Sequence, residues 1–298
     1  MKRRGNYRFL GKYTYYAPGI GGMFALLAWL LVGAFFGAIV TIIFGAIAGP
    51  GLIKEYGSLI SYPLMFIPAM VYAGSKSSVN AMDHQGWKLD SSHFAPLSAT
   101  GCALLCVVAV FAMGFWTDGI VSLLPEMPDK LKEAMEQLTS GNIWLNFLMV
   151  SIFAPLFEEW LCRGMVLRGL LVKARVKPVW AIVISAAFFA LIHMNPWQAI
   201  PAFLLGCLFG YVYYLTGSLK LTMLMHFANN TLALILGHVD ALKDMNSWAD
   251  VMPEKYYTLL AVACFLLTAL IVLALRRIVP QKPEGSCDEV PSLFETEQ

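Results

Sequence analysis

The sequence predicts an all-α, polytopic transmembrane helical bundle of about eight spans, and three observations carry that prediction. Of its 298 residues, 58% are hydrophobic and 13% charged, too apolar a balance for a soluble domain with a charged surface. Apolar runs near the length a bilayer requires, about 20 residues, recur at 19–48, 57–74, 97–116, 142–167, 178–194, 198–215, 219–238 and 257–275. Lys and Arg, finally, concentrate in alternate connections between these runs.

Residues 1–18 form a basic N-terminal segment carrying Lys2, Arg3, Arg4, Arg8 and Lys12. The run at 19–48 is too long for the apolar core of a signal peptide, although Ala46-Ile47-Ala48 faintly resembles a cleavage site, so it is read as a retained first span. An even number of spans puts both termini on one side. With that side cytoplasmic, Lys76, Lys88, Arg168, Lys173, Arg175, Lys177, Lys220, Arg276, Arg277 and Lys282 join the N-terminal group there. Only Lys54, Lys130, Lys132, Lys243 and Lys255 fall outside. Arg168 is taken as an anchor for lipid phosphate at the end of the fourth span.

Residues 19–141 hold the first three spans and an outer segment, PEMPDKLKEAMEQLTSG, in which Leu131, Met135 and Leu138 at helical spacing predict a short amphipathic surface helix; a solvated loop is the alternative. Residues 142–238 hold the fourth to seventh spans and 239–279 an outer loop and the eighth. The polar, Pro-containing tail 280–298 reads as disordered and cytoplasmic. Cys102, Cys106, Cys162, Cys207, Cys264 and Cys287 show no C-x-x-C spacing and suggest neither a disulfide framework nor a thiolate metal site. The basic residues follow topology without interleaved aromatics, so no nucleic-acid partner is indicated.

Ionisable groups inside a span cost about 2.5–3.5 kcal/mol each on insertion scales, which makes every one a functional candidate. In the fourth to seventh spans the strongly polar residues are Glu158, Glu159, Arg163, His193, Asn195, His226, Asn229 and Asn230. Glu159 and Arg163 are four apart, in the order that favours an ion pair on one helix face. Glu158 lies about 100° around the helix and is left free to exchange a proton, which suits a general base. Phe189 shares a face with His193, which it would wall and orient, and His226 shares one with Asn230. A His and an Asn aimed together supply two donors for the oxyanion that forms when water attacks an acyl carbon. The set predicts hydrolysis of an amide bond within the membrane.

The motifs EEWLCR, FALIH and HFANN, in this order on successive apolar helices, resemble the CAAX prenyl protease and bacteriocin-processing (Abi) family over roughly residues 142–238. The resemblance implies an intramembrane endopeptidase, whose eukaryotic relatives remove the last three residues of prenylated proteins. Carried over by position, it implies that Glu158 and His193 activate water, that His226 and Asn230 hold the oxyanion, and that Glu159 and Arg163 are architectural. Cys162 departs from the aromatic residue common before the Arg-Gly pair in bacterial members. The implied partners are a peptide or protein substrate, lipid-modified or membrane-anchored, and the lipid itself. A multi-pass protein of a bacterial cytoplasmic membrane is the expected setting.

Alternatives stay open at this level. Glu158, His193 and His226 could bind zinc, though no H-E-x-x-H spacing specifies it, and a metal-free glutamate mechanism is favoured because Asn230 suits an oxyanion better than zinc. A non-catalytic peptide-binding or immunity protein would need no base at Glu158. A proton-relay transporter would show paired broken helices, which the sequence lacks. Asn195, before Pro196, is read as a helix cap and Asn229 as packing. The closeness of Glu158 to Arg168 predicts a cavity open toward the cytoplasm.

Overall fold

The computed structural model describes residues 9–82, 86–139, 141–239 and 247–278; most of the basic N-terminal segment and the polar tail 280–298 lie outside them. Nine helices longer than ten residues make up the described part. They are α1 (Ile20–Ala48), α2 (Pro50–Asn80), α3 (Ala99–Val121), α4 (Asp129–Thr139), α5 (Ile143–Val172), α6 (Pro178–Ile192), α7 (Pro196–Thr216), α8 (Leu219–Leu236) and α9 (Glu254–Leu275). Seven of them are long and apolar enough to cross a bilayer, and the chain is an integral, multi-pass membrane protein. The fifth expected span, α6, has only 15 residues, about 22 Å at helical rise against a hydrocarbon core of about 30 Å. Its C-terminal end meets a cavity described below, which Phe189 and His193 line.

Small residues set how the helices approach one another, as expected where lipid supplies no hydrophobic drive between them. Gly49, at φ +89°, turns the chain between α1 and α2, and Pro50 opens α2. Gly33 sits so close to α2 that a Cβ there would collide with the Met65 carbonyl oxygen, and at Gly37 one would lie 3.0 Å from that of Ser61. These pairings run antiparallel, as do Ile182 with Gly210 and Ala186 with Gly206 between α6 and α7. Helix α2 also contains Pro63 and Pro68, each withdrawing an N–H from its ladder.

Helix α5 runs through the middle of the molecule. It is unbroken but not uniformly α: Phe147–Phe153 and Trp160–Leu167 are wound as π-helix, a geometry that occurs mostly at functional sites. Trp160, Leu161, Met165 and Leu167 along it are fully buried, and the Ser185 hydroxyl of α6 donates to the Cys162 carbonyl at 2.8 Å. Helix α3 packs on α8 and α9 at one edge, around Cys102, Cys106 and Ile271. The cysteines of the described residues are free thiols.

The expectation of a phosphate anchor at Arg168 is overturned. Its side chain is completely buried, and its guanidinium donates to the carbonyls of Gly164 (2.7 Å), Trp87 (2.7 Å), Tyr13 (3.3 Å) and Tyr16. The planar fork of Arg fits this role, because five donors diverge from one rigid group. It staples the segment before α1 and the connection after α2 to the end of α5. On the same face, Asp90 bridges Lys220 Nζ at 3.0 Å, and Tyr213 donates to the Leu89 carbonyl at 2.9 Å.

Candidate active site

A cavity of about 960 Å³ lies between the α1–α2 hairpin and helices α5 to α8. Glu158, Phe189, His193, His226 and Asn230 all line it, so three helices bring the sequence candidates to one wall. Glu159 and Arg163 lie just behind that wall, both without solvent exposure.

The buried layer is built around one oxygen. Arg163 Nη1 donates to Glu159 Oε1 at 2.8 Å, and His226 Nδ1 lies 3.1 Å from the same atom. Arg163 Nη2 donates to the Gly206 carbonyl at 2.9 Å, and a Cβ at Gly206 would come within 3.3 Å of that nitrogen. The guanidinium lies over the rings of Phe189 (4.6 Å to the centroid) and Phe209 (5.3 Å), a favourable cation–π arrangement. Glu159 therefore does more than pair with Arg163. With Nδ1 turned to a carboxylate, His226 presents Nε2 to the cavity, 3.9 Å from Glu158 Oε2.

His193 is oriented differently. It caps α6, where its Nδ1 lies 2.8 Å from the Phe189 carbonyl one turn earlier. A carbonyl only accepts, so Nδ1 carries the proton and Nε2 remains an acceptor. Phe189 packs edge-on against both His193 (4.9 Å) and His226 (5.5 Å), separating the two imidazoles.

Asn230 is placed by the winding of α5. In the π register, the Val150 carbonyl would accept from residue 155, which is a proline and has no N–H. Asn230 Nδ2 donates to that carbonyl at 2.9 Å, while Asn229 Nδ2 donates to Asn230 Oδ1 at 3.1 Å. One amide hydrogen of Asn230 remains for a ligand. Asn229, read from the sequence as packing, lines the cavity and orients its neighbour.

Sequence reasoning missed Tyr62. Its hydroxyl, from α2, donates to Glu158 Oε1. The signal was present: Ser58, Ser61, Tyr62 and Met65, spaced as one helix face, all line the cavity. It is a polar stripe within an apolar span.

Asn195 caps α7, its Oδ1 accepting from the Trp197 amide at 3.0 Å. Its Nδ2 also reaches Met135 Sδ at 3.0 Å. The amphipathic segment is indeed helical as α4, but Met135 turns into the cavity instead of lying only on the outer surface.

The lining shows which half of the bundle the cavity occupies. Most of its lining comes from the second half of α1, the first halves of α2 and α5, the end of α6, the start of α7 and the second half of α8, with Met135 before α5, while Glu158, Phe209 and His226 lie near the middles of their helices. In antiparallel neighbours those halves share one side, opposite the Arg168 staple. The cavity therefore lies toward the ends of the helices distant from the N-terminus, where His193 ends α6.

Among the described residues, no three His, Cys, Asp or Glu side chains converge to hold a metal ion. The zinc set Glu158, His193 and His226 shares the cavity without forming such a group.

Residues 140–232 match the family described as Type II CAAX prenyl endopeptidase Rce1-like. Over this segment, the chain is similar to that family. The match takes in α5 to most of α8 and leaves out the α1–α2 hairpin that supplies Tyr62. No curated protein and no solved structure matches the chain.

Removing one partner of the buried pair tests its energetics. Arg163→Met strands the Glu159 carboxylate, and breaking a buried pair in this way costs about 3–5 kcal/mol. The expected result is a marked fall in the thermal midpoint of detergent-purified protein; an unchanged midpoint would contradict the pairing.

Proposed function

We propose that the chain is a metal-free intramembrane endopeptidase that hydrolyses a peptide bond in a membrane-anchored or lipid-modified protein. The observation that carries the reading is the gap between Glu158 Oε2 and His226 Nε2. At 3.9 Å it is too long for a direct hydrogen bond and short enough for one water to bridge. Similarity of residues 140–232 to an endopeptidase family supports the reaction class.

In this reading, Glu158 takes a proton from water as its oxygen adds to the scissile carbonyl carbon. The free Nε2 of His193 accepts the second hydrogen bond of that water. As the carbonyl π pair moves onto oxygen, the remaining amide hydrogen of Asn230 and the Nε2–H of His226, in its imidazolium form, stabilise the oxyanion. Glu159 stabilises that imidazolium through Nδ1. When the tetrahedral adduct collapses, the C–N bond breaks, and Glu158 returns its proton to the departing nitrogen.

The apolar walls of α1, with Ala34 and Ala38, and the polar stripe of α2 give the cavity one side for a hydrocarbon chain and one for a peptide backbone. The substrate we infer thus carries a lipid or an apolar anchor beside the bond that is cut; CAAX-type C-terminal processing is one such case. We place the protein in a bacterial cytoplasmic membrane with both termini cytoplasmic, following its basic residues. The cavity then faces away from the cytoplasm.

Cleavage of quenched fluorescent peptides, farnesylated and unmodified, by purified protein tests the reaction. Glu158→Gln should slow turnover by about 100-fold or more, the worth of a general base, with chelator leaving the wild type unaffected. Full turnover in Glu158→Gln would overturn the assignment. Chelator inactivation reversed by zinc would shift it to the metal reading, and a folded wild type that cuts no peptide would favour the binding or immunity alternative.

Orientation has its own test. In a cysteine-free background, Gln198→Cys in right-side-out vesicles should react with a membrane-impermeant maleimide, whereas Lys173→Cys should react only in inverted ones. The reverse pattern would place the cavity on the cytoplasmic side.

A further inference from the structure

We propose that Tyr62 is the residue that positions Glu158, holding it at a working distance from His226. The proposal rests on the reading of Glu158 as the base and adds to it a part of the site supplied from outside residues 140–232.

The two oxygens of the Glu158 carboxylate have different surroundings. Oε1 accepts the Tyr62 hydroxyl, while Oε2 is buried and lacks a hydrogen-bond partner among the described residues, with His226 Nε2 3.9 Å away. A buried carboxylate oxygen so close to an imidazole gains by moving the last ångström into direct contact, especially when the ring is charged. Such a contact would fill the place where water must sit. The phenol on Oε1 opposes that movement, because closing on His226 would break its bond to Glu158.

The restraint works only if Tyr62 is itself held, and the packing shows that it is. Its ring lies 5.4 Å from that of Phe66, which stacks on Phe157 at 5.1 Å with an interplanar angle of 13°. Phe157 directly precedes Glu158, so one aromatic stack braces both ends of the hydrogen bond. Phe66 is completely buried, and the backbone beside Tyr62 is restricted by Pro63.

The titratable and charged groups around Glu158 are Tyr62 from α2, Glu159, Cys162 and Arg163 from α5, His193 at the end of α6 and His226 from α8. Of these, Tyr62 alone makes a direct hydrogen bond to the Glu158 side chain among the described residues.

Tyr62→Phe removes one hydroxyl and keeps the ring stack. The expected result is a fall in kcat of about 10- to 100-fold with KM within about twofold, since the base is misplaced while the substrate walls remain. In infrared spectra, the carboxyl band of Glu158, assigned by its loss in Glu158→Gln, should shift in Tyr62→Phe. Tyr72→Phe, on the same helix and away from the cavity, should change neither readout. A Tyr62→Phe protein with wild-type kcat and an unmoved Glu158 band would overturn the proposal. Loss of thermal stability with wild-type kcat per folded molecule would also overturn it, by reducing Tyr62 to a packing residue. The infrared shift requires no substrate, so the Tyr62 assignment is tested even if the protease reading itself fails.

Discussion

A single buried carboxylate oxygen, Oε1 of Glu159, holds the cavity-bearing half of this molecule together. It receives Arg163 from its own helix and His226 from α8, and Arg163 in turn reaches the Gly206 carbonyl of α7 and lies over Phe189 of α6. Four helices thus converge on one charge-compensated cluster without solvent access. In a medium with no water to solvate stray charges, such a cluster is stable only when complete. Its completion also fixes the direction in which His226 Nε2 points, so the same interaction that joins the helices orients the chemistry.

Around this node, the backbone departs from regular geometry where the site needs it. Pro155 leaves a carbonyl of the π-wound stretch to be met by Asn230, which aligns that amide beside the cavity. Helix α6 ends early and places His193 at its terminus, lining the cavity. On the opposite face, Arg168 binds loop carbonyls into the end of α5. One end of α5 is therefore stapled and the middle carries the polar site, while the α1–α2 hairpin closes the cavity from the side.

Much of this was legible in the sequence because lipid imposes simple rules. Span positions follow from hydropathy, and the observed helices begin and end within a few residues of the apolar runs apart from α2, whose polar ends extend well past 57 and 74. The Glu159–Arg163 pair follows from four-residue spacing, which brings side chains together in either winding of the helix. What escaped is tertiary. Tyr62 lies 96 residues from Glu158 along the chain, and no local spacing links them. Arg168 looks like a loop residue until the segments around Tyr13 and Trp87 fold over it. The half of the bundle that holds the cavity emerges only from comparing helix ends across the bundle. π winding, likewise, has a sequence mark only at Phe147–Phe153, where Pro155 follows, and none at Trp160–Leu167.

The most direct test of the central node is the protonation pattern of His226, read by nitrogen-15 NMR of histidine-labelled protein, with the His226 signals assigned by their loss in His226→Gln. The account predicts a proton on Nδ1, bonded to Glu159. A neutral His226 protonated at Nε2 and bare at Nδ1 would contradict it, because the buried carboxylate would then not be what aims the imidazole at Glu158.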